Sequence, residues 1–182
     1  MQLGLDVVVF VPVGEAAHRT IEQDPGAEAR FTMCEYAASA DARFAVSRME
    51  IDRPGLSYTV ETLRALRAER KADDELFLIL GGDQAAALPA WHEPEEVLSL
   101  ATVAVVERAE HRRAEVAERV RSICGDDRAV FFDMPRVDVS STLVRQRASA
   151  GKPIRYLVPD KVANYIGAQS LYSSSAPAGV GA

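Results

Sequence analysis

The sequence predicts an α/β fold: a Rossmann-like parallel sheet with flanking helices. Two observations carry this. Continuous apolar runs recur at Asp6–Pro12, Glu75–Leu80 and Ala101–Val106, the pattern of strands covered on both faces. Between them lie segments with apolar residues at helical spacing, and an alternation of strands and helices implies parallel pairing.

The first run, Asp6-Val7-Val8-Val9-Phe10-Val11-Pro12, reads as a strand buried on both faces. Val13 to Arg19 follow as a loop at its C-terminal end, where ligand sites of open α/β sheets are built. His18 and Arg19 are therefore candidates for contacting an anion, against the plain alternative of an exposed polar loop. Ala27 to Ala40 reads as a helix with Phe31, Cys34 and Ala38 on one stripe. Phe44 to Ile51 alternates in part and reads as a strand, and Pro54-Gly55 makes a turn. A helix then opens at Ser57-Tyr58-Thr59 and runs to about Arg70, with Val60, Leu63 and Leu66 inward and Ser57 or Thr59 as its cap. Tyr58 and Thr59 are either core-edge residues or contacts to something bound at the helix start.

Glu75 to Asp83 is the clearest buried strand. The glycines Gly81 and Gly82 at its end allow a ligand close to the backbone, and Asp83 is an acceptor suited to ribose hydroxyls. Gly-Gly-Asp is also a common turn. Pro89-Ala90-Trp91-His92 holds the only Trp, placed to stack on a flat ring or to plug the core. Ala101 to Val106 is a buried strand ending in Glu107-Arg108, followed by a helix over Arg113 to Ile123 and a strand over Val130 to Met134.

Val139-Ser140-Ser141-Thr142-Leu143-Val144-Arg145 reads as a strand end, a hydroxyl-rich turn and a helix start. Ser140 or Ser141 caps the helix, the remaining first-turn amides and the helix dipole favour an anion, and Arg145 adds donors on the same face. A phosphate suits it; the plain alternative is an ordinary cap with a solvated Arg. Pro159 starts a last helix with Val162, Tyr165 and Ile166 inward. Residues 1–172 are expected to form a single domain, with a disordered Ser, Ala, Gly and Pro tail over 173–182.

Composition narrows the function classes. A net charge of −6 argues against broad nucleic-acid binding, while leaving room for a local basic pocket. No apolar run reaches membrane-spanning length, and the first residues lack the features of a signal peptide. Cys34 and Cys124 fit neither a disulfide framework nor a metal pattern, so a reducing cytoplasm is expected.

Six ordered segments together resemble the nicotinate-nucleotide adenylyltransferases of the nucleotidyltransferase α/β superfamily. They are Val11-Pro12-Val13-Gly14 with His18-Arg19, Arg53 to Thr59, Leu80-Gly81-Gly82-Asp83, Leu88 to His92, Val139 to Arg145, and Ile154 to Pro159. The Ser-Thr-x-x-Arg part indicates only the superfamily, whereas Ser57-Tyr58-Thr59 and Trp91-His92 point to the nicotinate branch. The resemblance implies adenylyl transfer from ATP to nicotinate mononucleotide, with Mg²⁺, giving deamido-NAD and pyrophosphate. Carried over, Ser141, Thr142 and Arg145 would hold the ATP phosphates, and Gly81 and Asp83 would line the adenosine side. Trp91, Thr59 and Tyr58 would serve the nicotinate substrate, and His18, Arg19 and Arg108 its phosphate and the pocket charge. No nucleic acid or membrane partner is implied, and association with further copies of the chain is left open.

One departure accompanies the resemblance. The family's first, central strand and its Gly-Gly-x-Phe-x-Pro-x-His-x-Gly-His segment match nothing here, and with that segment missing no catalytic residue is assigned. The expectation is a chain truncated by about 25 residues relative to the family. Either its gene start is placed too far downstream, which is the favoured account, or it is inactive or unstable as written. The rivals to the transferase reading are a non-catalytic nucleotide-binding remnant and an adenylyltransferase acting on phosphopantetheine.

Overall fold

A computed structural model describes residues 3–16, 23–71, 73–107, 109–125, 128–135 and 137–173. They form two compact units, one of residues 3–4 and 57–135, the other of residues 5–56 and 137–173.

The first unit is built on a three-stranded parallel sheet in the order β5 (Phe77–Gly81), β6 (Thr102–Val106), β7 (Ala129–Phe132). The register aligns Gly81 with Val106 and Val106 with Phe132, so the three strands finish in one row. β6 is central, and its Val103, Ala104 and Val105 are buried. Around it pack α2 (Thr59–Glu69), α3 (Gly82–Ala86), α4 (Pro94–Leu100) and α5 (Glu110–Cys124). Val60, Leu63, Leu88, Val97, Leu98, Val116 and Val120 complete the core. Full burial of such side chains contributes about 1.5–3 kcal/mol each relative to exposure. Gly125 ends α5 in the left-handed conformation, with φ 75°, which favours glycine.

The second unit pairs β1 (Val8–Phe10) in parallel with β3 (Phe44–Val46), beside α1 (Ala27–Ala38). The two-residue strand β2 (Glu15–Ala16) lies between β1 and α1 in the sequence, and β4 (Leu56–Ser57) follows β3. α6 (Ser141–Ser149) and α7 (Asp160–Ala168) follow, and Val144, Ile154, Val162 and Ile166 form a small core with Met33 of α1 against it. Tyr36 of α1 and Tyr165 of α7 meet edge to face, 5.6 Å between centroids.

The α/β class and the parallel pairing agree with the sequence reading; several elements differ in detail. β1 is three residues long rather than seven, and it is not buried on both faces: Phe10 is 41% exposed. It is paired with β3 alone among the described residues, so an apolar run meant for two neighbours shows one flank. β3 stops at Val46 because Ser47 to Asp52 turn, with the amides of Ile51 and Asp52 bonded back to the Arg48 carbonyl. α2 takes Tyr58, not Ser57 or Thr59, at its N-cap and has no side-chain cap; the Ser57 hydroxyl is buried without a hydrogen-bond partner. In α7, Pro159 is the N-cap rather than the first helical residue. α4 is a helix the sequence reading lacks, although Pro94 at its start and Glu95 and Glu96 in its first turn are ordinary helix-start signals. Gly82-Asp83 open α3 directly instead of making a turn.

Both cysteines are free thiols, and burial pushes the Cys34 thiol up. No helix among the described residues is long and apolar enough to cross a membrane.

Candidate functional site

In the second unit, Ser140 is extended (φ −111°, ψ 154°) and its Oγ accepts the Leu143 N–H at 3.1 Å, so Ser140 rather than Ser141 caps α6. Ser141 and Thr142, the first two helical residues, have amides with no intrahelical acceptor. Arg145 donates to Thr142 Oγ1 at 3.3 Å, which holds the guanidinium over the same first turn. A cleft of about 280 Å³ opens here. Ser140, Ser141 and Arg145 line it together with Val144, Val162, Ile166 and Tyr172. Burial pushes the Tyr172 hydroxyl up, against the lowering influence of Arg145, so it stays a neutral donor. Chemically the cleft offers hydroxyls, amides and one cation to an anion, together with apolar surface.

In the first unit, Tyr58 and Trp91 both pack half-buried against the core cluster, and Thr59 is the first residue of α2. The Tyr58 and His92 rings lie 4.5 Å apart and tilted by 42°. His92 Nε2 is 2.9 Å from Glu93, which with Glu96 clasps Arg64 of α2. The hydrogen bonds that Arg64 donates to Glu96 and Glu93 raise its pKa. Glu93 has φ 51°, a left-handed conformation uncommon outside glycine and asparagine, and it is fastened by these ion pairs. The arrangement ties the His92–Glu93 turn to α2, and Tyr58, at the N-cap of that helix, lies against the His92 ring.

Also in this unit, Gly81 ends β5 with φ −74° and ψ 155°, and a side chain there would meet nothing within 4 Å. Asp83 is exposed and accepts from Arg112 at 3.0 Å. Glu107, Arg112, Arg113, Arg64 and Glu93 did not stand out in the sequence. Arg112-Arg113 carried a usable signal: two cations in the first turn of a helix oppose the helix dipole and need acids nearby.

His18, Arg19 and Arg108 lie outside the described residues. The other candidates divide between the units: Tyr58, Thr59, Gly81, Asp83 and Trp91 in the first, Ser141, Thr142 and Arg145 in the second.

Comparison with known proteins gives a consistent result. The cytidylyltransferase-like family matches residues 1–147. The probable nicotinate-nucleotide adenylyltransferase of Paenarthrobacter aurescens (strain TC1) is 39% identical over 177 residues, covering 97% of this chain and 82% of that protein. Its counterpart in Roseiflexus sp. (strain RS-1) is 40% identical over 172 residues, covering 93% and 84%. Among solved structures, Plasmodium falciparum nicotinic acid mononucleotide adenylyltransferase complexed with NaAD superposes with a TM-score of 0.68 at 13% identity, covering 92% of this chain and 82% of that one, a likeness of fold. With an alternating α/β fold, a capped helix start at Ser140 to Arg145, and about two residues in five shared with such relatives over nearly its whole length, the chain belongs to the nicotinate-nucleotide adenylyltransferase family, within the cytidylyltransferase-like proteins.

Proposed function

We propose that this chain transfers the adenylyl group of ATP to nicotinate mononucleotide, giving deamido-NAD and pyrophosphate. The observation that carries the reading is the α6 start, where amides, two hydroxyls and Arg145 converge on one cleft. In the reaction a phosphate oxygen of the mononucleotide attacks the α-phosphorus of ATP, one P–O bond forms, the α–β P–O bond breaks, and pyrophosphate leaves with the electron pair. Such chemistry rests on alignment and on neutralising charge rather than on a covalent intermediate. Ser141, Thr142 and Arg145 hold the ATP phosphates; Gly81 and Asp83 receive the adenosine side. Trp91 stacks on the nicotinate ring, with Tyr58 and Thr59 beside it, Thr59 near the carboxylate. His18, Arg19 and Arg108 serve the mononucleotide phosphate and the pocket charge.

Magnesium would enter with ATP and would offset the charge of the triphosphate, with Ser141, Thr142 and Arg145 facing the phosphates that carry it. The residues of the α6 start suit that role division: Ser141 and Thr142 bring hydroxyls and Arg145 a cation, none of them a carboxylate. Among the described residues no group of three or more His, Cys, Asp or Glu is arranged to hold a metal ion. A cytoplasmic location accords with the two free thiols.

The test is product formation from ATP and nicotinate mononucleotide with magnesium, followed by chromatography for deamido-NAD and by pyrophosphate release. Nicotinamide mononucleotide and phosphopantetheine serve as comparators. Deamido-NAD is expected. Product from phosphopantetheine with none from nicotinate mononucleotide would overturn the assignment, and tight ATP binding without product from any acceptor would assign nucleotide binding alone.

A further inference from the structure

The aligned ends of β5, β6 and β7 carry an acid apiece: Asp83 just past Gly81, Glu107 after Val106, and Asp133 after Phe132. Arg112 and Arg113, in the first turn of α5, lie across them. Arg113 donates to the Glu107 carbonyl at 2.6 Å and to the Asp133 carboxylate at 2.5 Å. Arg112 donates to Asp83 Oδ1 at 3.0 Å and reaches Glu107 Oε2 at 3.5 Å. The positive end of the helix disfavours both cations, so these acids are what retain them.

Glu107 is the fixed point. Its side chain is 11% exposed, its Oε1 accepts the Ala109 N–H at 3.0 Å, and a Cβ on Gly82 would stand 2.2 Å from Oε2. The carboxylate therefore packs on the Gly82 backbone, immediately before Asp83. Asp83, by contrast, is 83% exposed. A carboxylate so exposed samples several rotamers and must be ordered when a ligand binds, at an entropic cost. Arg112 spans the two acids with its fork of donors, Nη1 toward Glu107 and Nη2 to Asp83.

We propose that Arg112 is a positioning residue for the adenosine side: anchored on Glu107, it holds Asp83 by Oδ1 and presents Oδ2 to a ribose hydroxyl of ATP. This rests on the adenosine-side reading of Asp83 given above. Among the described residues Oδ2 takes no hydrogen bond. The role of Arg112 lies in ligand binding more than in stability, since a half-exposed ion pair adds little to folding.

Isothermal titration calorimetry of ATP and, separately, of nicotinate mononucleotide tests this on the full chain, using wild type, Asp83→Ala, Arg112→Gln, Arg112→Lys and the Asp83→Ala/Arg112→Gln double variant. Asp83→Ala is expected to weaken ATP about tenfold, the loss of one charge-assisted hydrogen bond. Arg112→Gln is expected to weaken ATP about threefold to tenfold, to leave the mononucleotide unchanged, and to have no further effect once Asp83 is Ala. Arg112→Lys keeps the charge beside Glu107 but not the fork, and should lose about threefold on ATP alone; it carries the comparison if Arg112→Gln does not fold. Unchanged ATP affinity in Asp83→Ala overturns the adenosine-side reading. Loss in Asp83→Ala but none in the Arg112 variants, loss on both ligands, or a loss that persists without Asp83 overturns the positioning role.

Discussion

Gly81 offers a way to separate a glycine kept for a ligand from one kept for the fold. Its φ of −74° and ψ of 155° are open to alanine, and a Cβ would meet nothing within 4 Å. By the fold alone, then, Gly81→Ala is harmless. It should even stabilise, because alanine restricts the unfolded chain, by about 0.4–1 kcal/mol. For a chain of this length that corresponds to a rise in Tm of about 1–4 °C. If adenosine lies against this backbone, the added methyl occupies the space the ligand needs. ATP affinity should then fall about tenfold or more, a loss of at least about 1.4 kcal/mol, while nicotinate mononucleotide binds as before. Differential scanning calorimetry and ATP titration on the same preparation measure both. Wild-type ATP affinity in a folded Gly81→Ala variant would refute the close approach, and a large fall in Tm would refute the account of its backbone.

The opposite outcome is expected at Gly14, where a Cβ would lie 2.1 Å from the Glu50 carbonyl oxygen and 2.9 Å from its carbon. Backbone cannot swing aside, so Gly14→Ala should cost about 2–3 kcal/mol or more and lower Tm by roughly 4–12 °C in thermal denaturation. Trp91→Ala should weaken nicotinate mononucleotide by about 1–3 kcal/mol, the worth of one stacked ring, and ATP far less; equal losses in a titration of both ligands would make Trp91 packing only. Ser140→Ala removes the acceptor for the Leu143 amide and should destabilise by about 1 kcal/mol in urea denaturation, with ATP weakened as α6 frays. Hydrogen bonds from Arg43 hold the Asp41 carboxyl down to about 2, so its contribution to stability is complete above the ordinary carboxylate range near 4 and is lost as pH falls through about 2. Arg43→Gln should return the Asp41 midpoint toward the ordinary value in a carboxylate NMR titration.

Locally determined features were readable from the sequence. Phe77–Gly81 and Thr102–Val106 are dense apolar runs, and the Ser140–Arg145 segment shows a helix start, although the choice between Ser140 and Ser141 as its cap needed the structure. The sequence predicts a strand at Asp6–Pro12 that is longer and more buried than β1, because an apolar run records which residues avoid water but not how many neighbours it has. Helix α4 hid among the charges Glu93, Glu95 and Glu96, seven residues being too short to show a period. At the candidate site, residue types such as Asp83 and Trp91 could be picked out beside strand ends. Their partners could not, since Arg112 lies 29 residues from Asp83 and the Tyr58–His92 contact joins two separate elements. Such pairings are settled by tertiary packing, which single-chain patterns do not encode.

Trp91 packs against the core of the first unit, and the sequence contains no second indole. Intrinsic emission excited at indole wavelengths therefore reports on one unit alone. Melting of α6, α7 and the β1–β3 pair shifts that signal only so far as it reaches the Trp91 surroundings, whereas far-ultraviolet dichroism registers every helix. Recording both during denaturation measures directly whether the two halves of this molecule come apart together or in turn.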